Sequence, residues 1–264
     1  MRYFVYFSYK GTAYHGWQRQ GNALTVQEVL EDAFQLILRQ RVPITGAGRT
    51  DTGVHASMMV GHFDWPMRAE EREAAETAAI ETKEAALPNN FASRLNNLLP
   101  RDITVHNIRA VQPDTHARFS AVKRQYKYFC MEHKTPYFYD LVTRIPKNLD
   151  FERMNQAAAL LLATRDFASF CKLHTDVKTT LCHVTRADWQ QQGEQWVFTI
   201  EADRFLRNMV RAIVGTLFEV GRGRMSIEQF QQIIDRRQRE AAGQSAPAEG
   251  LYLTQVEYPE EVFL

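Results

Sequence analysis

The order strand, amphipathic helix, strand occurs in both halves of this chain of 264 residues and constrains its fold more than any other feature. In the first half, Arg2 to Tyr9 form a β-rich apolar run, and apolar residues recur at helical spacing from Val26 to Leu38. In the second half, Ala121 to Met131 alternate as a strand, and Phe151 to Ala163 show the helical pattern. Because an apolar helix face must pack against another element, we predict an α+β fold of two halves, each with helices on an antiparallel sheet.

Turn and capping residues predict where several elements begin. Thr25-Val26-Gln27-Glu28 and Ser226-Ile227-Glu228-Gln229 both have the form of a capping box at a helix start. Gly193 separates two strand-like segments, Cys182 to Gln190 and Trp196 to Ala202, which is typical of a hairpin. Both signals strengthen the α+β prediction.

Val111-Gln112-Pro113-Asp114 is the expected boundary between the halves, which gives an N-terminal half of residues 1–110 and a C-terminal half of residues 111–264. Between Met67 and Leu87, six glutamates accompany three basic residues, Arg68, Arg72 and Lys83. We expect a helical insertion at about 67–88 whose acidity keeps it away from polyanions.

Composition excludes several classes of protein. A hydrophobic fraction of 45% is ample for a core, and no apolar run approaches the roughly 20 residues that span a bilayer. The start reads as a strand and not as a signal peptide, so we expect a cytoplasmic protein without a membrane segment. Three cysteines without close pairing predict reduced core thiols, and eight histidines without ligand spacing predict no metal site.

Positive charge is clustered although the net charge is only +1. Four basic residues and no acid lie between Arg118 and Lys127, and five arginines face one acid, Glu219, between Arg204 and Arg224. A solvated surface is the ordinary explanation of such clusters. Here the basic residues alternate with aromatic ones, which favours RNA as the partner.

One carboxylate, Asp51, stands in a turn between an arginine and a histidine, in the stretch Gly48-Arg49-Thr50-Asp51-Thr52-Gly53-Val54-His55-Ala56. Glycines on both sides are expected to allow positive φ and close approach of a ligand. Arg49 and His55 supply donors for a phosphate or a base edge, and Asp51 can act as nucleophile or base. The plainer interpretation is an aspartate that caps its own turn.

The wider sequence resembles the tRNA pseudouridine synthase A family along almost the whole chain. Lys10 stands where the family usually has Asp, and Thr52 where it usually has Ala. The segments that match in order are Tyr9–Thr12, Tyr14–Gln20, Val26–Glu28, Gly48–Ala56, Val60–Phe63, Leu95–Ile103, His116–Ala121 running into Tyr126–Tyr128, Asp166–Phe170, Phe205–Gly215 and Glu249–Leu253.

The resemblance implies two ferredoxin-like halves whose sheets join into one extended, mainly antiparallel sheet, in a homodimer. It implies conversion of uridine to pseudouridine at positions 38, 39 and 40 in the anticodon stem-loop of several tRNAs, with Asp51 as catalytic residue. The reaction breaks the C1′–N1 bond, rotates the uracil and joins C5 to C1′, and it needs no cofactor. Whether Asp51 attacks C1′ or C6 is left open by the sequence.

Arg211 and Tyr126 each have an ordinary structural explanation, and for each the resemblance implies a functional role instead. Arg211 lies in an apolar helical pattern from about Arg207, where it could be a snorkelling side chain. The resemblance implies that it pairs with Asp51. Tyr126 shares a strand face with Arg124 and Tyr128 and could be core. The resemblance implies that it stacks on the target uracil.

The remaining RNA contacts are assigned more generally. Arg49 is expected to fill the space of a flipped base, since guanidinium both stacks and binds phosphate. The residues expected to bind the RNA backbone are Gln18, Arg19, Lys123, Arg124, Arg204 and Arg207.

Two other classes of protein fit part of the sequence. Asp51-Thr52-Gly53 is the aspartic-protease tripeptide, but that mechanism needs two such loops and the chain has one. A non-catalytic tRNA-binding protein or chaperone would share the basic clusters, and turnover on unmodified tRNA separates it from an enzyme.

Overall fold

The computed structural model describes residues 1–66, 87–172 and 178–264, so the predicted insertion at about 67–88 lies almost wholly outside the described residues. The chain forms two compact units: unit 1 is Met1–Val122 with Val256–Leu264, and unit 2 is Lys123–Gln255. Residues 111–122 therefore belong to unit 1, whereas the sequence assigned them to the second half. The reason is visible at Val122, whose amide donates to Glu257 O at 2.9 Å.

Unit 1 contains an antiparallel sheet with β1 between β4 and β3. Its strands are β1 Arg2–Tyr9, β2 Thr45–Gly46, β3 His55–Asp64 and β4 Ile103–Val111, and β2 pairs with β3. A shift of register after Phe7 places Tyr9 opposite Ala56, at the start of β3. The predicted strand from Arg2 to Tyr9 is confirmed at both ends.

The described helices of unit 1 are α1 Val26–Leu38 and α2 Phe91–Leu98. Phe34 of α1 contacts Phe63 of β3 and Phe91 of α2 edge to face, with ring centroids 5.0 Å apart in each pair. Both helices therefore share one apolar cluster with the sheet.

The start of α1 confirms half of the predicted capping box. Thr25 Oγ1 accepts a hydrogen bond from Glu28 N at 3.3 Å. In a complete capping box, the Glu28 carboxylate would accept from the Thr25 amide. It accepts instead from Arg19 Nη2 at 3.1 Å, since an ion pair to a guanidinium competes with that bond.

Unit 2 contains a sheet with strand order β9-β5-β8-β7, and β6 pairs parallel with β5. The strands β5, β8 and β7 are antiparallel, and Gly193, with φ +62°, lies in the turn of the predicted hairpin. The strands are β5 Lys123–Met131, β6 Thr143–Arg144, β7 Val184–Gln192, β8 Gln195–Ala202 and β9 Leu251–Glu257.

The helices of unit 2 in the described residues are α3 Phe151–Ala163, α4 Met209–Gly221 and α5 Ile227–Arg236. Asn155 of α3 joins the edge strand β7, since its amide donates to Trp189 O at 3.0 Å and accepts from Trp189 N at 2.7 Å. The predicted capping box between Ser226 and Gln229 is confirmed. The fold is a mixed α+β fold with mainly antiparallel strands, as predicted.

The three cysteines, Cys130, Cys171 and Cys182, are buried and form no disulfide, as predicted for core thiols. Burial raises the pKa of the Cys182 thiol to about 12. Within residues 1–66, 87–172 and 178–264, no helix has the length and apolarity to cross a bilayer. The same residues include no group of three or more His, Cys, Asp or Glu arranged to hold a metal ion.

Candidate active site

Asp51 lies in the connection between β2 and β3, half-buried at the edge of the unit 1 sheet. The chain leaves β2 where Ala47 N donates to Val60 O at 2.8 Å, and it turns sharply because Val54 N donates to Asp51 O at 3.1 Å. Gly53 has φ +77°, a conformation that residues with a Cβ rarely adopt. Strand β3 begins at His55, so the turn is held at both of its ends.

The segment from Tyr9 to Trp17 holds this turn from the side. Tyr9 Oη and Thr50 Oγ1 share a hydrogen bond of 2.8 Å, and Trp17 N donates to Thr50 O at 3.3 Å. Gly53 N donates to Tyr14 O at 3.3 Å. The matching segments Tyr9–Thr12 and Tyr14–Gln20 therefore support a later matching segment, the Asp51 turn.

Two glycines make this support possible. A Cβ at Gly11 would lie 2.0 Å from Val54 O, and one at Gly16, where φ is +86°, would lie 2.4 Å from Thr50 O. Gly48 differs from the expectation: its φ is not positive, and a Cβ there would have no atom of the described residues within 4 Å. Positive φ is thus needed on one side of Asp51, at Gly53.

His55, expected to donate to substrate, is completely buried. Its Nδ1 accepts a hydrogen bond from Gly11 N at 2.9 Å, which ties the start of β3 to the supporting segment. The structure therefore gives His55 a role in holding the turn. This role could not be predicted from the motif, because Gly11 lies 44 residues away.

Tyr14 and Asp102 fasten the supporting segment to the rest of unit 1. Tyr14 Oη donates to Asp102 Oδ1 at 2.7 Å, and Lys10 N donates to Asp102 O at 2.9 Å. Burial, together with the Asp102 carboxylate, raises the pKa of Tyr14 well above its ordinary value. The phenol therefore remains a donor at all physiological pH values.

The polar residues around the Asp51 turn differ in exposure. Arg49 and Gln18 are exposed to solvent. Arg19 is half-buried and binds two carboxylates of α1, Glu28 at 3.1 Å and Glu31 at 3.2 Å. The charge of Arg19 is therefore compensated within the protein, whereas Arg49 faces solvent beside Asp51.

Tyr126 lies in the middle of β5 in unit 2, opposite Ile200 of β8. Burial alternates along β5, and Arg124, Tyr126 and Tyr128 share the buried face, as predicted from period two. The Tyr126 ring is 8% exposed and contacts Phe205 edge to face at 4.9 Å. Its position in the strand interior means that packing sets its orientation.

The basic residues predicted beside Tyr126 have protein partners in unit 2. Arg124 is buried, and its Nη1 donates to Asp203 O at 2.7 Å. Lys123 Nζ lies 3.5 Å from the Glu201 carboxylate. Arg207 is exposed ahead of α4.

Arg211 is half-buried on the first turns of α4, and it faces the chain segment that precedes β9. Arg211 Nε donates to Ala246 O at 2.7 Å, and Ala246 N donates to Arg211 O at 2.8 Å. The segment approaches closely because residue 215 is glycine: a Cβ there would lie 1.8 Å from Gln244 O. A snorkelling arginine does not describe this arrangement, since part of the guanidinium is held by backbone.

Comparison with known proteins places these residues in a family. A family model described as tRNA pseudouridine synthase matches residues 5–120 and 157–259. The chain is 50% identical over 262 residues to the tRNA pseudouridine synthase A of Parabacteroides distasonis, a match that covers 99% of this chain and 98% of that protein. It is 52% identical over 265 residues to that of Porphyromonas gingivalis, with 100% and 99% covered, and 38% identical over 252 residues to that of Acetivibrio thermocellus, with 95% and 96% covered.

The chain belongs to the tRNA pseudouridine synthase family. It is an isomerase that converts uridine to pseudouridine in tRNA. The family match includes the Asp51 turn, its supporting segment and Arg211. Tyr126, Lys123 and Arg124 lie between the two matched stretches, so their assignment depends on the sequence motif and on β5 alone.

Proposed function

We propose that this tRNA pseudouridine synthase modifies uridines 38, 39 and 40 of the anticodon stem-loop, with Asp51 as the catalytic carboxylate. The observation that carries the proposal is the turn itself. A half-exposed carboxylate is held there by a supporting segment that two glycines bring against it. Because the turn already holds the carboxylate in position, little conformational entropy is lost at this group when substrate binds.

The chemistry asks for one carboxylate and no cofactor. Cleavage of the C1′–N1 bond frees the uracil, which turns so that C5 meets C1′, and C5 then loses the proton that it carried. Attack at C1′ and addition at C6 both begin with the same carboxylate, so both assign the first step to Asp51. A base must leave the helix for either route, and exposed Arg49 is proposed to take its place.

The other residues of the proposal assist binding and positioning. Arg211 is proposed as the second residue that the reaction requires, and Tyr126 as the ring that stacks on the target uracil. The RNA backbone is proposed to contact Gln18, Arg49, Arg204 and Arg207. Arg19, Lys123 and Arg124, whose side chains bind protein groups, are proposed to contribute as well, and His55 is proposed to act through the turn.

The oligomeric state is proposed from the family resemblance, and the location from the composition of the chain. We propose that the enzyme is a homodimer that acts on tRNA in the cytoplasm. Sedimentation of the purified chain at micromolar concentration tests the first statement. A species with the mass of one chain, 30.6 kDa, at every concentration would contradict it.

Single-turnover conversion of an unmodified tRNA transcript tests the catalytic assignment. Asp51→Asn is expected to abolish pseudouridine formation and to leave tRNA affinity nearly unchanged, because the amide keeps the shape but is neither nucleophile nor base. Asp32→Asn, on the exposed face of α1, is the matched control and should keep the parent's rate.

The outcomes separate the alternatives. Product at positions 38 to 40 from the parent chain and none from Asp51→Asn supports the proposal. Pseudouridine at parent levels from Asp51→Asn would remove Asp51 from its role. Tight binding without turnover by the parent would identify a tRNA-binding protein, and product at other uridines would refute the assignment of positions.

A further inference from the structure

The loop of residues 115–120 in unit 1 presents an aromatic ring to solvent. Phe119 is 75% exposed, and the Arg118 guanidinium carbon lies 5.6 Å from the centre of its ring. Single exposed apolar side chains are common on protein surfaces. This one is unusual because the loop that carries it is tightly built.

Hydrogen bonds close the loop on itself. His116 N donates to Ser120 Oγ at 2.9 Å, and Ser120 N donates to His116 O at 2.9 Å. His116 Nδ1 accepts from both Arg118 N and Phe119 N, at 3.1 Å and 3.4 Å. The backbone of the two exposed residues is therefore held by one imidazole.

Three further bonds attach the loop to unit 1. Ala117 N donates to His62 Nδ1 on β3 at 3.1 Å, and Tyr258 Oη donates to Ala117 O at 2.6 Å. Arg2 Nη1 donates to Thr115 O at 2.9 Å. A ring held in this way loses little conformational entropy when a ligand stacks on it, which raises affinity.

The rings of the loop form a short column that begins in the core and ends in solvent. The buried His62 ring lies 4.5 Å from that of His116, and His116 lies 4.4 Å from Phe119 at 37°. Burial lowers the pKa of His62 to about 4, and burial with Arg2 and Arg118 lowers that of His116. Both imidazoles are neutral at pH 7, so Arg118 supplies the positive charge beside the outermost ring.

We propose that Phe119 stacks on an unpaired base of the RNA substrate and that Arg118 binds the neighbouring phosphate. The proposal rests on the proposed function, because it takes tRNA as the ligand. An exposed aromatic face next to a cation is the arrangement that binds a base and its phosphate without reading sequence. In residues 112–122, Asp114 is the one acid, so the loop does not repel a polyanion.

The loop is anchored away from the start of β3. His62, which anchors the loop, lies seven residues along β3 from His55, or about 24 Å at 3.4 Å per residue. Loss of the Phe119 ring should therefore weaken RNA binding without displacing the turn that holds Asp51.

Affinity measurements in an Asp51→Asn background, which excludes turnover, test the contact. Phe119→Ala is expected to raise the Kd for unmodified tRNA about 5- to 150-fold, the range for one stacked base. Phe119→Trp should restore affinity, whereas Phe119→Leu, apolar but without a π face, should not.

Tyr137 offers a matched control. It is 83% exposed in unit 2, beside an open cavity of about 450 Å³ lined by both Lys134 and Glu194, so its surroundings have mixed charge. Tyr137→Ala should leave the Kd unchanged. An equal loss in Tyr137→Ala would show that the assay reports surface apolarity in general and would overturn the proposal.

Three other results would also overturn it. The first is a Kd for Phe119→Ala equal to the parent's, and the second is a Kd for Phe119→Leu as low as that for Phe119→Trp. The third is a change of oligomeric state in Phe119→Ala with unchanged RNA affinity per subunit, which would make the ring a contact between copies of the chain. Failure of the proposed function looks different. The parent chain would then form no pseudouridine at positions 38 to 40, whatever residue 119 is.

Discussion

The two units carry their proposed functional residues on different kinds of structure. In unit 1, Asp51 and Arg49 stand on a turn outside the regular elements, and the backbone of that turn is held by the segment from Tyr9 to Trp17. In unit 2, Tyr126 stands in the interior of β5, and Arg211 on α4. The positions of the first two side chains depend on the shape of a loop, and those of the other two depend on the packing of a core.

Because of this difference, substitutions at the turn and in the core should affect activity and stability differently. Replacing a half-exposed side chain on a turn removes less buried surface than replacing a core side chain, so it should affect folding less. A buried side chain in a strand contributes to both, so its replacement changes the free energy of unfolding as well as the reaction. Substitutions in the two units should therefore differ in kind as well as in size.

Apart from loss of the Asp51 carboxylate itself, the largest effect is expected at the support of the turn. Gly11→Ala places a Cβ 2.0 Å from Val54 O, so the backbone on one side has to move. A displacement of about 1 Å at a reacting group can cost on the order of 100-fold in rate. We therefore expect single-turnover pseudouridine formation to fall by about that factor or more.

Gly21→Ala is the control for this prediction. A Cβ at Gly21 would have no atom of the described residues within 4 Å, and the substitution should be neutral. If Gly11→Ala keeps the parent's rate while folding normally, the turn does not need its support, and the contrast between the units fails at its first step.

The sequence predicted the elements well where local signals mark both ends. The helices Val26–Leu38 and Phe151–Ala163 agree with the periodicity because Thr25 and Asp150 cap them by accepting from the backbone. The strand predicted from Ala121 begins at Lys123. Val122 is hydrogen-bonded to Glu257 in unit 1, and no local pattern announces that contact.

The second effect is expected in the core of unit 2. Tyr126→Ala should lower the free energy of unfolding by about 3–5 kcal/mol, the usual cost of removing a buried aromatic ring. Tyr126→Phe should cost less than about 1.5 kcal/mol, because it keeps the ring. Asp51→Asn should lower it less than Tyr126→Ala does, because Asp51 is half-buried and the amide keeps the shape of the carboxyl group.

Chemical denaturation followed by tryptophan fluorescence measures all three variants in one series. Stability reduced equally in Asp51→Asn and Tyr126→Ala would contradict the division between turn and core. Stability retained in Tyr126→Ala would show that Phe205 and its neighbours close over the space, and that the ring is not part of the core.

The site was predicted less completely than the elements. The turn could be identified from its glycines and its single carboxylate, but its partners are distant in sequence, as Gly11 is from His55 at 44 residues, and spacing does not reveal them. The Ala246 carbonyl that binds Arg211 was missed for the same reason. Gly215, on the same helix as Arg211, is the signal that another chain segment passes close by.

A pH dependence of stability is expected from unit 1. His62 has its pKa lowered to about 4 by burial and by the charges of His116 and Arg2, against the opposing effect of Asp64. Below an ordinary value of about 6.5, the unfolded chain takes up a proton at His62 and the folded chain does not. Stability should therefore fall between pH 6.5 and about 4, by at most about 1.4 kcal/mol per pH unit.

Urea denaturation at several pH values checks this prediction. His62→Gln removes the titrating group and should flatten part of the pH dependence. A profile for His62→Gln parallel to the parent's would show that His62 is protonated equally in both states.

The smallest effect is expected in the salt dependence of tRNA binding, where the contrast runs within unit 1. Arg49 is exposed, whereas Arg19 lies 3.1 Å from a carboxylate. Removing a cation that binds one phosphate lowers the slope of log Kd against log salt by about 1. Arg49→Gln should lower the slope by about that amount, and Arg19→Gln should lower it by less. If both variants lower the slope equally, the carboxylates release Arg19 on binding, and charge compensation in the free protein does not predict which residues bind RNA.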